Sequence, residues 1–354
     1  MNIAIASLLL PSGSKIGVGY QVHFLANALV RRGHRVTVFS QTGPTEESLY
    51  QVKVIPPRRR LRTFAFAWDL RRERFDEFDV LNAHGDDWFL WGCRRPRHVH
   101  TFHGSCLAEA VHAHGVINKL RMTALAACEY NSLFVANDSV AVSRNTMRYI
   151  PGIHHVIPCG VDTDAFRPGG RKSDAPSILF VGTMHGRKRG TMLLDAFVRH
   201  IRPKIPSAEL WCVCQRPDGQ PDVEGVRWTG RIDQNTLVDL YRQAWAFCLP
   251  SSYEGFGVPY VEAMASGLPV VASPNVGARE VTAEGRYGRI VEDSGLAEAL
   301  VQLLSDAALR GQLAEAGLER SRAYAWDEIC RQYERVYVPS AAARLSAAVE
   351  SPVQ

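Results

Sequence analysis

The chain has 354 residues, 46% hydrophobic and 22% charged, with 28 Gly and 19 Pro, which suits a globular protein of two domains rather than one hydrophobic core. This composition excludes disorder, collagen-like repeats and a disulfide-built miniprotein, and no apolar run reaches the roughly 18–20 residues needed to cross a bilayer. The net charge of +5 belongs to the first half: residues 1–165 carry 19 Lys and Arg against 14 Asp and Glu, residues 166–354 carry 22 against 22.

Ile3–Leu10 is a short apolar run. No Lys or Arg precedes it and Pro11-Ser12-Gly13 follows at once, so it reads as a buried first strand rather than a signal-peptide core. A Gly-containing loop is expected from Pro11 to Gly19. Val22, Leu25, Ala26, Leu29 and Val30 then recur at helical spacing, Gly33 ends the helix, and Val36–Phe39 begins a second strand. That is a βαβ unit. Strands are further expected at Asp79–Asn82, Val99–Phe102, Leu133–Ala136 and Val140–Val142, which together predict a doubly wound, mostly parallel sheet.

Between Val161 and Ser177 the text turns polar and rich in Pro and Gly, as in an exposed linker. The pattern then restarts: a strand at Ile178–Val181, a Gly- and Arg-rich loop at Gly182–Gly190, and a helix opening at Leu193. Leu210–Val213, Val226–Trp228, Ala246–Leu249 and Pro269–Ala272 follow as strands. The predicted fold class is therefore α/β with two Rossmann-like domains, 1–165 and 166–325, whose parallel sheets face a cleft between them. A last helix, about 326–345, is expected to pack back on the first domain. The eight cysteines (93, 106, 128, 159, 212, 214, 248 and 330) form no CxxC pair, so reduced cytoplasmic thiols are expected rather than zinc ligands or disulfides.

The first loop offers Gly17-Val18-Gly19, but Val22 stands where a dinucleotide fingerprint needs its third glycine. The second loop, Gly182-Thr183-Met184-His185-Gly186-Arg187-Lys188-Arg189-Gly190, lacks the order of a P-loop. It still has the chemistry of an anion site: glycines that expose backbone N–H groups, three adjacent cations and a following helix N-terminus. A solvated basic turn is the competing explanation. The most informative segment runs from Leu249 to Pro269. A strand ends at Leu249, a Gly-rich loop presents Glu254, Pro259 suits the start of a helix, and Gly267 suits its end. Glu262 is expected in that helix's first turn, so that two carboxylates can accept hydroxyl hydrogen bonds from one elongated polyhydroxylated ligand.

The run Glu254 to Glu262 resembles the Glu-x7-Glu motif of retaining glycosyltransferases with the GT-B fold. With Gly17-Val18-Gly19, Thr101-Phe102-His103-Gly104, Val156–Phe166 and Gly182–Phe197, the chain resembles glycosyltransferase family four over nearly its whole length. The resemblance implies that Glu262 holds the ribose of a sugar nucleotide and Glu254 the hydroxyls of the transferred sugar. It implies backbone contacts to sugar and diphosphate at Phe256, Gly257 and Val258, with Gly230 and Arg231 meeting the base. His103 would lie near the donor sugar, and the Gly17–Gly19 loop would close over phosphates. The phosphate cations would be Arg187 and Lys188, with Arg189 as the competing register.

The activity implied is retaining transfer of a sugar from a nucleotide-diphosphate donor to an acceptor hydroxyl, with Glu254, His103, Arg187 and Lys188 in the catalytic group. No cofactor and no metal are expected, since no Asp-x-Asp pair stands at a strand end and Arg and Lys can neutralise the departing diphosphate. A nucleotide-sugar 2-epimerase of the same architecture is the rival. The expected partners are the nucleotide-sugar donor and a hydroxyl-bearing acceptor (sugar, lipid-linked or small molecule), without nucleic acid. The expected location is cytoplasmic, with peripheral contact on the inner membrane face through the basic first half: Arg58-Arg59-Arg60, Arg62, Arg71-Arg72, Arg74, Arg94-Arg95 and Arg97. Phe64, Phe66, Trp68, Trp88, Phe89 and Trp91 are candidates for an apolar acceptor cleft, against the alternative that they are core.

Overall fold

In the computed structural model, residues 1–12, 17–58, 61–92, 96–112, 115–219 and 221–338 are described. Arg59, Arg60, Cys93, Arg94, Arg95, part of the first loop and the tail beyond 338 lie outside them. The chain divides into two compact units. Unit 1 is Met1–Gly160 with the described part of Trp326–Gln354, and unit 2 is Val161–Ala325. The division falls five residues before the 165/166 boundary drawn from the sequence. Val161 is held in unit 2 by a parallel bridge to Ala325 and by its N–H donating to Tyr324 O at 2.9 Å.

Unit 1 contains β1 (Asn2–Ala6), β2 (Arg35–Ser40), β3 (Gln51–Val54), β4 (Val80–Ala83), β5 (Arg97–Phe102), β6 (Asp138–Ala141) and β7 (His155–Val156). Their order is β3-β2-β1-β4-β5-β6-β7, and every pairing is parallel. Unit 2 repeats the plan with β8 (Ser177–Val181), β9 (Glu209–Val213), β10 (Val226–Trp228), β11 (Ala246–Leu249), β12 (Val270–Ala272) and β13 (Arg289–Ile290), in the order β10-β9-β8-β11-β12-β13. These six are also parallel throughout. In both sheets the strand order reverses beside the first strand, at β1/β4 and at β8/β11. Sheets of this kind bind ligands outside the carboxyl ends of the strands at that reversal. Strands such as Ile3–Ala6 and Ala246–Leu249 are wholly buried, which explains why the sequence reads there as apolar runs without alternation.

Two expectations are corrected. Leu133–Ala136 is not a strand: Leu133 to Val135 end the long helix Val116–Val135, with Ala136 N–H donating to Ser132 O. Val135 packs from this helix into the apolar core, a position that a four-residue apolar run cannot distinguish from a strand. Gly17 and Gly19 are not loop residues but open the first helix, Gly17–Arg31. A Cβ on Gly19 would stand 2.7 Å from Leu9 O, so glycine there lets the helix start rest on the backbone leaving β1.

The helix Trp326–Tyr337 belongs to unit 1. Ile329, Cys330, Tyr333, Val336 and Tyr337 join the cluster of Ile3, Ile5, Leu25, Leu29 and Val99, and Tyr337 OH accepts from buried Asn82 Nδ2 at 2.7 Å. Replacing Tyr337 with Ala removes a buried ring and strands an amide, at a cost of about 3–5 kcal/mol. Hydrogen exchange is expected to show β1, β4 and β5 losing protection while β8–β12 keep theirs. Uniform loss across both sheets would contradict this assignment of the helix.

Candidate active site

In unit 2 the loops following β8 and β11 meet at the reversal of strand order. Ser252 N–H donates to Arg187 O at 2.8 Å, tying one loop to the other. Lys188 Nζ then reaches Glu254 Oε1 at 2.6 Å, with only 18% and 7% of the two side chains exposed. Gly182 lets this happen: its ideal Cβ would lie 3.2 Å from Lys188 Cβ, so the lysine stem crosses bare backbone. Gly277 does the same for Glu254. A Cβ there would fall 2.5 Å from Phe256 O and 2.8 Å from Glu254 Cβ, so the helix Val276–Thr282 can press against the loop only with glycine.

The loop is further held by Asn275. Its Nδ2 donates to Ser251 O and to Tyr260 OH at 3.1 Å, while its Oδ1 caps the following helix through Ala278 N–H. Gly257 has φ +102°, and a Cβ would lie 2.5 Å from the Tyr260 ring. Phe256 is buried against Tyr324, with ring centroids 5.6 Å apart, and Val258 begins the helix Val258–Ala265.

Glu262 is the fifth residue of that helix, just past the first turn where it was expected. Its carboxylate accepts from Tyr241 OH at 2.9 Å. Burial pushes its pKa up to about 7, against the Tyr241 hydrogen bond and the nearby Lys188 charge, both of which lower it. Lys188 therefore stands within electrostatic reach of both motif glutamates. Arg189 is committed elsewhere. At φ +51° it sends its guanidinium to Asp293 at 2.7 and 2.8 Å and to Pro250 O at 2.6 Å. Arg187 is exposed, and its side chain has no ion pair among the described residues. Gly230, at φ +66°, and exposed Arg231 follow β10, which lies two strands from β8. No hydrogen bond joins them to the Lys188 group among the described residues.

Unit 1 has a cavity of about 300 Å³ beyond the carboxyl ends of β1, β4 and β5, and Gly19 and His103 both line it. His103 Nε2 lies 2.7 Å from His84 Nδ1 in a ring-to-ring hydrogen bond. Burial, with the charge of nearby His100, takes the His103 pKa down to about 4, so this imidazole is neutral near pH 7. Beneath lies Asp87, wholly buried, 2.8 Å from both His98 Nε2 and His100 Nδ1 and accepting from Ser132 Oγ at 2.7 Å. Burial works against its ionisation, but the two histidines outweigh it and hold the carboxyl far below the usual range. Among the six aromatics considered for an acceptor cleft, Trp88 lines the cavity, Phe66 is core, and Trp68 and Trp91 are about half exposed.

A family model described as Glycosyltransferase Family 4 matches residues 16–165, and one described as Glycosyl transferases group 1 matches residues 175–306. The first half of the chain is thus similar to the family 4 glycosyltransferases and the second half to the group 1 glycosyl transferases. Among curated relatives, a phosphatidyl-myo-inositol mannosyltransferase of Mycolicibacterium smegmatis is 32% identical over 195 residues, which are 51% of this chain and 50% of that protein. A D-inositol 3-phosphate glycosyltransferase of Xylanimonas cellulosilytica is 31% identical over 211 residues, 52% of this chain and 50% of that one. The chain spans about half the length of the curated relatives it matches. Among solved structures, sucrose-phosphate synthase from Thermosynechococcus elongatus superposes with TM-score 0.79 at 22% identity, covering 98% of this chain and 99% of that one. HepE of Anabaena, solved with UDP-glucose, gives TM-score 0.73 at 17% identity over 95% and 99%. These establish the GT-B fold class.

Of the glycosyltransferase residues expected from the sequence, Lys188, Glu254 and Glu262 come together in unit 2, and Gly19 and His103 share the cavity of unit 1. Tyr241, Asp293 and His84 were not foreseen. Each acts through a tertiary partner far away in sequence, and none stands in a motif. Among the described residues no cluster of His, Cys, Asp and Glu is placed to hold a metal ion, and no helix is long and apolar enough to cross a membrane.

The raised Glu262 pKa has a signed consequence. Between about 4.5 and 7 the folded protein holds one proton more than the unfolded chain, so this group's contribution to stability falls as pH rises through that window and levels off above it. Glu262→Gln is therefore expected to melt like the parent near pH 4.5 and above it at pH 8. A melting difference that does not change with pH would contradict the assignment.

Proposed function

We propose that the protein is a retaining, metal-independent glycosyltransferase that moves a sugar from a nucleoside-diphosphate donor, bound by unit 2, to an acceptor hydroxyl. The observation that carries this reading is the Lys188–Glu254 pair with Glu262 in its field, at the strand-order reversal of unit 2. An ammonium and two carboxylates in one small space are the complement of a diphosphate joined to two polyhydroxylated rings. The two glycosyltransferase model matches and the relatives' names, both glycosyl transfers onto inositol-containing acceptors, favour transfer over epimerisation.

In the reaction the bond from the anomeric carbon to the phosphate oxygen breaks, and its electron pair leaves with the diphosphate. The acceptor oxygen forms the new bond on the same face, and its proton passes to the departing phosphate. Negative charge grows on the diphosphate, so a fixed cation and backbone N–H groups lower the barrier most where water is excluded. Lys188 supplies that charge, with the free Arg187 guanidinium as its neighbour. Arg189 is spent on Asp293, which favours the Arg187–Lys188 register. Glu254 and Glu262 accept hydroxyl hydrogen bonds from sugar and ribose, and Phe256, Gly257 and Val258 offer backbone at the helix start. Gly230 and Arg231 are the candidates for the base. Gly17 and Gly19 open the first helix, and Gly19 serves by close packing and by lining the cavity where neutral His103 accepts or donates a hydrogen bond. Reduced thiols at Cys106, Cys128, Cys212, Cys214, Cys248 and Cys330 support a cytoplasmic location.

Incubation with labelled nucleotide sugars and a sugar acceptor, in EDTA, is expected to release nucleoside diphosphate and form a glycoside with the donor's anomeric configuration. Lys188→Gln keeps a hydrogen-bond donor for Glu254 but removes its cation, so the melting temperature is expected to fall, while kcat measured well below it falls by about 10²–10³. An altered sugar still bearing its nucleotide, or activity that needs added magnesium, would overturn the reading.

A further inference from the structure

The cavity of unit 1 has a charge that its position in a basic half does not foretell. Asp86, Glu109 and Glu129 line it, and no Lys or Arg does so among the described residues. Asp86 sits at φ +63° just after β4. Glu129 comes from the middle of the helix Val116–Val135 and accepts from Cys106 N–H at 2.8 Å. Burial and the charges of Asp87 and Glu129 drive the Asp86 pKa up to about 8, and burial raises that of Glu129. Of the neighbouring histidines, His84 and His103 are pushed toward their neutral forms by burial, and His100, whose charge partly offsets the rise at Glu129, is paired with Asp87 at 2.8 Å. Two lining side chains, His84 and Trp88, are 6% and 4% exposed and each keeps a ring nitrogen without a hydrogen-bond partner.

Half-buried Asp86 and Glu129, with no Lys or Arg beside them among the described residues, gain when a cation arrives, and the unpartnered Trp88 ring N–H asks for an acceptor. A volume of about 300 Å³ is at the small end of ligand pockets and has room for one sugar ring against this lining. We infer that this cavity selects a single-ring polyhydroxylated acceptor bearing a protonated amine, with Asp86 and Glu129 facing the ammonium, and discriminates against phosphorylated acceptors. The inference rests on the transfer reading only in calling the ligand an acceptor. It departs from the relatives, whose names specify a phosphatidyl and a 3-phosphate group.

The test is calorimetric titration of the full chain at pH 6.5, without donor, using 6-amino-6-deoxyglucose, glucosamine, glucose and glucose 6-phosphate. At least one amino sugar is expected to bind about tenfold more tightly than glucose, equivalent to about 1.4 kcal/mol, with glucose 6-phosphate weakest. Asp86→Asn suits the left-handed backbone, and Glu129→Gln keeps an acceptor for Cys106 N–H. At least one of the two is expected to bring the amine-to-glucose ratio to about one. No amino sugar binding, equal binding by glucose or its phosphate, or a ratio that survives both substitutions would overturn the inference. Donor turnover is read separately: amine selectivity without release of nucleoside diphosphate defeats the transfer reading alone, and turnover onto glucose without amine selectivity defeats this inference alone.

Discussion

The contact between Lys188 and Glu254 is the constraint around which unit 2 is arranged. An ammonium and a carboxylate held mostly away from water gain little net stability, because each has given up its hydration, yet either one left alone is strongly destabilising. The surroundings are organised to keep them in place. Gly182 and Gly277 remove the side chains that would block the approach, Ser252 ties the two loops, and Asn275 fixes the loop from beneath. A protein that needed only stability would fill this space with apolar groups. On the proposed reading the pair is a placeholder: a diphosphate takes over the lysine and a sugar hydroxyl takes over the carboxylate, so neither is left uncompensated when a donor binds.

The two units share one strand order and differ in the charge they place at its reversal. Unit 2 brings a cation between two carboxylates, and unit 1 brings carboxylates and neutral imidazoles around a small cavity. The imidazoles owe their neutrality to burial, while the anion beneath them, Asp87, owes its charge to His98 and His100. On the proposed reading, the same parallel scaffold, with loops of different chemistry at the same edge, supplies anion recognition in one unit and an electron-rich lining in the other.

Much of this was legible in the sequence because parallel strands buried on both faces appear as short apolar runs between Gly-bearing turns. Ile178–Val181, Leu210–Val213, Val226–Trp228 and Ala246–Leu249 fall on β8 to β11, and Trp326–Tyr337 forms the last helix. The short edge strands β3, β7 and β13 escaped because Gln51–Val54 is largely exposed and the other two have two residues each. Leu133–Ala136 misled because an apolar helix end has no period of its own over four residues. Lys188, Glu254 and Glu262 could be named from spacing and resemblance, but their mutual contact could not. Nor could the loss of Arg189 to Asp293, a partner 104 residues away. The acidity of the unit 1 cavity was hidden for the same reason: Asp86, Glu109 and Glu129 are scattered through a half whose summed charge is positive.

A crystal structure of the protein with a nucleoside-diphosphate sugar bound tests the central claim most directly. The account predicts phosphate oxygens on Lys188 Nζ, the ribose on Glu262, and Glu254 turned from the lysine to the sugar hydroxyls. A donor bound out of reach of both Lys188 and Glu262, with the Lys188–Glu254 pair intact, would contradict it.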